Sequence, residues 1–330
     1  VENFSSLALK IEDNQIYLLD QQLLPHKEEW INCSKLEDMI SAIKNLKVRG
    51  APLIGIAAAF LLEKLKEDGV SPDKIKESAS VLRESRPTAV NLMNAIDRVI
   101  ENDISAYELA QEDIELCMRM GEIGAHLIED GDNILTHCNT GGLATVGRGT
   151  ALGVIQTAWE QGKKIHVFVD ETRPLLQGGR LTTWELKKLG IPYTLICDNM
   201  AATLMRDKRI QKVFVGADRV ALNGDFANKI GTYNLSILCQ YHQIPFYTVA
   251  PFTTIDKDCF NGEDIEIEQR NPKEVLGVKG SFGDIQWSPD SEVYNPAFDV
   301  SPAKNLTGIV FDFGLLDQKQ LLNDEIKSYL

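Results

Sequence analysis

Short apolar runs rich in β-branched and aromatic residues punctuate the second half of the chain, at 134–135, 165–169, 193–197, 213–215 and 246–250, with amphipathic stretches at helical spacing between them. Continuously apolar strands alternating with helices predict a parallel sheet with crossover helices, both faces covered. Each run ends in polar or charged residues: Cys138; Asp170, Glu171, Thr172 and Arg173; Asp198; Gly216, Ala217, Asp218 and Arg219; Pro251 and Thr253. Open parallel sheets bind ligands beyond the carboxyl ends of their strands, so these separate segments are expected to face one crevice.

The first half has a different pattern. Residues 8–11 and 16–19 read as two strands about an Asp13-Asn14 turn, and Leu36, Met39, Ile40 and Ile43 recur at helical spacing after Ser34, a candidate cap. Lys47-Val48-Arg49-Gly50-Ala51-Pro52 feeds an apolar helix over 53–65, with Pro52 in its first turn. Arg49 and the N–H groups of Gly50 and Ala51 then lie at a helix amino end, a corner that suits a phosphate. Arg86 stands in a similar place before Leu92, Ile96, Val99 and Ile100, and a further helical stretch covers about 104–129. The fold class is therefore α/β, a small mainly helical domain with a β-hairpin over 1–115 followed by a parallel-sheet domain over 116–330. The boundary rests on the change from helical to strand-helix patterning.

Chemistry concentrates where the strands end. In Leu135-Thr136-His137-Cys138-Asn139-Thr140-Gly141-Gly142 a strand runs into a tight turn, and 143–155 reads as the start of a helix. Cys138 is either a thiol that carries chemistry at a strand end or a small buried hydrophobe. Asp218 leaves an apolar strand, where a water-poor setting favours a protonated carboxyl able to donate a proton; alternatively it pairs with Arg219 or caps a turn. Gln177 lies in a glycine-rich stretch that also carries Arg173 and Arg180, and Asn228-Lys229 enters another helix. Gly147-Arg148-Gly149 followed by Asp170 about 20 residues on suggests a dinucleotide fingerprint, but those glycines come too late after their strand.

Composition narrows the ligand. A net charge of −14 opposes nucleic-acid binding, so an anionic ligand must be held by local cations. The longest uncharged apolar run, 51–62, falls short of the roughly 20 residues of a spanning helix, and no basic-then-apolar leader opens the chain, so a cytoplasmic protein without membrane contact is expected. Six cysteines without a C-x-x-C pair and five histidines without H-x-x-x-H spacing suggest neither a disulfide framework nor a metal centre.

Seven segments carry a resemblance: Val48-Arg49-Gly50-Ala51-Pro52, Arg86-Pro87-Thr88-Ala89-Val90-Asn91-Leu92, His137-Cys138-Asn139-Thr140-Gly141, Asp170-Glu171-Thr172-Arg173-Pro174-Leu175-Leu176-Gln177-Gly178, Gly216-Ala217-Asp218-Arg219-Val220, Asn228-Lys229-Ile230-Gly231-Thr232-Tyr233 and Tyr294-Asn295-Pro296-Ala297-Phe298-Asp299. In this order, across almost the whole chain, they resemble the methylthioribose-1-phosphate isomerase family. The resemblance implies a Rossmann-like carboxyl-terminal domain and a homodimer that converts 5-methylthioribose 1-phosphate to 5-methylthioribulose 1-phosphate in methionine salvage, with no cofactor or metal. It implies Cys138 and Asp218 as the catalytic pair, and Arg49, Gly50, Ala51, Arg86, Gln177, Asn228 and Lys229 as substrate-binding residues. Relatives of similar pattern act on 5-deoxyribose 1-phosphate or ribose 1,5-bisphosphate, and others are non-catalytic regulatory subunits of a translation exchange factor.

Overall fold

The computed structural model describes residues 1–86, 90–101, 104–280, 283–287 and 290–329. Contacts divide the chain into two compact units, Val1–Arg119 with Thr140–Gly149, and Met120–Asn139 with Thr150–Leu330.

In the first unit β1 (Phe4–Ser5), β2 (Leu9–Glu12), β3 (Gln15–Leu19) and β4 (Trp30–Asn32) form an antiparallel sheet in sequence order. The expected hairpin is its centre: Asp13 and Asn14 have φ of 50° and 58°, the two left-handed positions that a tight primed turn requires. β1 and β4 are too short for a period-two signal. Helix α1 (Leu36–Lys44) buries Met39 and Ile43 as its spacing predicts, but Ser34 does not cap it. The Ser34 hydroxyl instead accepts the Ile16 N–H at 2.8 Å, tying the approach to the helix onto β3.

The apolar helix α2 (Ala51–Glu67) starts with Pro52 in its first turn and is followed by α3 (Pro72–Ser85), α4 (Val90–Glu101) and α5 (Ala106–Ala125). Gly55 lets α2 approach α4, since a Cβ there would stand 2.8 Å from the Asn91 carbonyl oxygen. The loop 140–149 is pinned within this unit. Gln21 Nε2 donates to the Leu143 carbonyl at 2.8 Å, the Leu53 N–H to that of Ala144 at 3.2 Å, and Asp113 accepts the Val146 N–H at 2.8 Å. Gly149, at φ 90°, closes the loop on Thr140, whose carbonyl oxygen lies 2.2 Å from where its Cβ would be. Gly149 thus closes the loop, while Gly147 lies against α5, where a Cβ would stand 2.9 Å from that of Cys117. The helix expected from 143 begins only afterwards.

In the second unit that helix, α6 (Ala151–Glu160), follows β5 (Asn133–Thr136), and β6 (His166–Asp170), α7 (Thr183–Leu189), β7 (Tyr193–Ile196), α8 (Ala201–Arg206) and β8 (Lys212–Gly216) come next. The chain continues through β9 (Arg219–Val220), β10 (Phe226–Lys229), α9 (Thr232–His242) and β11 (Phe246–Val249). It ends with the hairpin β12 (Gly277–Gly280) and β13 (Gly283–Gln286), then β14 (Phe298–Ser301), β15 (Gly308–Phe311), β16 (Gly314–Asp317) and α10 (Gln318–Leu322). All five apolar runs became parallel strands of one Rossmann-like sheet, ordered β16-β15-β11-β8-β5-β6-β7, whose antiparallel edge strand is β16. Val213, Phe214 and Val215 of β8 are wholly buried, which is why that strand reads as an unbroken apolar run. From β5 the chain adds β6 and β7 on one side, then returns to lay β8, β11 and β15 on the other. The strand order thus reverses between β5 and β8. Among the described residues no helix is long and apolar enough to cross a membrane.

Candidate active site

Thr136, the last residue of β5, donates its hydroxyl proton to the Phe214 carbonyl of β8 at 2.9 Å, fixing the two strand ends together. Two residues on, Cys138 has φ 63°, a left-handed conformation that costs an L-residue about 1–2 kcal/mol. Its neighbours hold it there: the Cys138 N–H donates to Thr172 Oγ1 at 2.8 Å, and Thr182 Oγ1 donates to the Cys138 carbonyl at 2.6 Å. Thr172 is in turn fixed by Asp198, whose carboxylate accepts the N–H groups of Thr172 and Arg173 at 2.7 Å each. Strain held by several independent contacts is characteristic of functional positions.

The same turn brings in Gln177. Gly178 follows it because a Cβ at 178 would sit 1.8 Å from the Asp170 carbonyl oxygen. Gln177 is buried, and its Oε1 accepts no hydrogen bond among the described residues, leaving an acceptor suited to a ligand hydroxyl.

Beyond β8, the Asp218 N–H donates to the Ala227 carbonyl at 2.9 Å, anchoring the half-buried aspartate at the start of the β9–β10 pairing. Arg219 forms an ion pair with Asp256 at 3.2 Å. Since Thr136 is in register with Phe214, Cys138 and Asp218 lie just past the carboxyl ends of adjacent parallel strands, at the point where the strand order reverses. β10 delivers Asn228 and Lys229 to the same neighbourhood of the chain. Asn228 Nδ2 donates to Thr232 Oγ1 at 2.9 Å, and Lys229 Nζ donates to the Ala297 carbonyl at 3.1 Å with the Phe298 ring 4.4 Å beneath it. At the start of α9 the Asp299 carboxylate accepts the N–H groups of Gly231 and Tyr233, at 2.8 and 3.0 Å.

Sequence reasoning missed a buried pair behind Cys138. His137 Nδ1 is 2.9 Å from Asp170 Oδ2, and Nε2 is 2.9 Å from the Ile230 carbonyl oxygen. Asp170, the acid of the dinucleotide pattern weighed above, is committed to this imidazole. His137, Asp170 and Asp198 group their ligand atoms within 4.8 Å, yet both imidazole nitrogens face acceptors and Asp198 is engaged with two N–H groups. The imidazole is thus taken up by Asp170 and the Ile230 carbonyl, and Asp198 by the backbone of Thr172 and Arg173.

The remaining expected residues belong to the first unit. Arg49 precedes Gly50, the residue before α2, which has φ 93° and lies so close to Ala144 that a Cβ would meet its carbonyl oxygen at 2.3 Å. Ala51 opens the helix. Arg86 closes α3 and precedes α4; Pro87, Thr88 and Ala89 lie outside the described residues.

Residues 47–318 match the model of the initiation factor 2 subunit family. The chain is 52% identical to the methylthioribose-1-phosphate isomerase of Serratia proteamaculans, over 97% of each chain. It belongs to the methylthioribose-1-phosphate isomerase family. The fold agrees: the 5-methylthioribose 1-phosphate isomerase of Pyrococcus horikoshii superposes with a TM-score of 0.89 at 40% identity, covering 99% of this chain and 96% of that one. The structure of a translation initiation factor eIF-2B subunit delta from A. fulgidus superposes at 0.83, also 40% identical, covering 97% of this chain and all of the other.

Proposed function

We propose that this chain is an aldose–ketose isomerase that converts 5-methylthioribose 1-phosphate to 5-methylthioribulose 1-phosphate in methionine salvage. The observation that carries this reading is the pairing of Cys138 and Asp218 beyond adjacent strand ends, in a chain whose relatives of that name match over nearly their full length. The phosphate on C1 prevents ordinary opening of the sugar ring. A general acid must protonate the ring oxygen, and hydrogen must then move from C2 to C1. Asp218 is the proposed acid, and Cys138 the proposed base or polariser of the C2 hydroxyl. Arg49 with the N–H groups of Gly50 and Ala51, together with Arg86, Asn228 and Lys229, are the proposed phosphate and sugar ligands. Gln177 Oε1 offers a hydroxyl its acceptor.

The test is a side-by-side assay of methylthioribose 1-phosphate, 5-deoxyribose 1-phosphate and ribose 1,5-bisphosphate, with and without EDTA. Methylthioribose 1-phosphate should turn over fastest, and unchanged by the chelator. Faster turnover of either other sugar would reassign the substrate, and loss in EDTA restored by a divalent ion would overturn the metal-free mechanism. Absence of turnover with all three would favour a regulatory-subunit role, the reading suggested by the A. fulgidus structure.

We also read the protein as a cytoplasmic homodimer. Free thiols at all six cysteines suit a reducing compartment. Tyr233, Ile237 and Tyr241, at i, i+4 and i+8 on α9, form an exposed apolar stripe of the kind that a second copy covers. In sedimentation, the unaltered protein should run as a dimer and Tyr241→Glu should shift toward monomer; a monomeric unaltered protein would refute this.

A further inference from the structure

The buried His137–Asp170 pair is tied to three segments at once. His137 continues β5 and immediately precedes Cys138; Asp170 ends β6, two residues before the Thr172 that accepts the Cys138 N–H; and Ile230 follows Asn228 and Lys229 directly. Gly231 makes room for the ring, since a Cβ there would stand 2.9 Å from His137 Cε1. The partners also determine the protons. A carbonyl oxygen only accepts, so Nε2 carries hydrogen, and one further proton must lie between Nδ1 and Asp170 Oδ2. Its loss would set a lone pair against a carboxylate inside the protein, where His137 and Asp170 are each 1% exposed and Asp170 Oδ1 has no hydrogen bond among the described residues.

We propose that His137 and Asp170 are positioning residues for the isomerisation, a proton-sharing tie that holds the Cys138 turn in register with the Asn228–Lys229 turn. The proposal rests on the reading of Cys138 and Lys229 given above, and its test separates the two. Burial pulls the imidazole down, but the hydrogen bond and charge of Asp170 outweigh it, so His137 is held above its usual value; burial raises Asp170 to about 6. Asp198 and Glu171 beside the strand ends, Asp299 on β14 and the Cys239 thiol on α9 are the other titratable groups facing the pair. Because the folded state raises the His137 pKa, the resulting stability is complete below about 6.5 and is lost as pH rises through the folded value.

The experiment compares His137→Gln and Asp170→Asn with the unaltered full chain, with Asp170→Asn available should the first fail to fold. The primary readout is the rate of iodoacetamide alkylation at Cys138, resolved by mass spectrometry, with the buried Cys33 and Cys117 as internal controls. Cys138 should react several-fold faster in both variants while the controls hold, and kcat should fall by about 10- to 100-fold, the penalty for a misplacement near 1 Å. The decline of Tm above about pH 6.5 should flatten in His137→Gln. An unchanged Cys138 rate, or an equal rise at all three thiols, would overturn the tie. Faster reaction at Cys138 with kcat intact would show that the tie holds the turn but overturn its part in the isomerisation, and with it the catalytic reading of Cys138.

Discussion

Asp218→Asn is expected to lower kcat by at least about 10²-fold while KM for the sugar phosphate stays close to its original value. The substitution preserves shape and hydrogen-bonding capacity but removes the only proton a carboxyl can transfer to the ring oxygen. The backbone anchor should survive, because the Asp218 N–H bonds to the Ala227 carbonyl at 2.9 Å whatever the side chain. Binding and chemistry should therefore separate. Lys229→Met provides the contrast, since removing the ammonium proposed to meet the phosphate in ground and transition states alike should mainly raise KM. Steady-state kinetics on both variants decide the matter, and near-original kcat in Asp218→Asn would transfer the acid role to another group.

The second large effect is expected at Cys138. Cys138→Ser should lower kcat by about 10²- to 10⁴-fold, the range of general acid–base contributions, because a hydroxyl gives up its proton far less readily than a thiol. The serine should adopt the same strained turn, since what holds φ at 63° is the pair of contacts from Thr172 and Thr182 to the backbone of residue 138. An unchanged thermal midpoint with a collapsed kcat would separate chemistry from folding. A Cys138→Ser enzyme as fast as the original would leave the thiol as packing, the alternative that its 6% exposure also fits.

Where the sequence misled, nearby competition was the cause. Ser34 stands one residue ahead of Lys35, which holds the cap position of α1, and its hydroxyl is taken by the Ile16 N–H instead. The glycines at 147 and 149 look like a nucleotide loop, yet 140–149 folds as a closed loop pinned by Gln21, Leu53 and Asp113. α3 went unread because its buried Ile75, Ala79 and Leu82 are spaced among many charged residues. β15 is as buried as β11 but follows a long polar stretch that broke the alternation.

What the sequence by itself determined is local: five parallel strands visible as apolar runs, the polar groups placed at their ends, the Asp13-Asn14 hairpin, and Pro52 at the start of α2. These follow from side-chain periodicity and turn chemistry, which act within a few residues. Only the tertiary structure decided that β8 lies against β5, setting Asp218 past the strand beside the one that leads to Cys138. It alone also joined His137 to Asp170, 33 residues away, and to Ile230, 93 away. Strand order depends on which way each crossover helix carries the chain, and a buried ion pair on which strand ends then meet; neither leaves a periodic trace in any one segment.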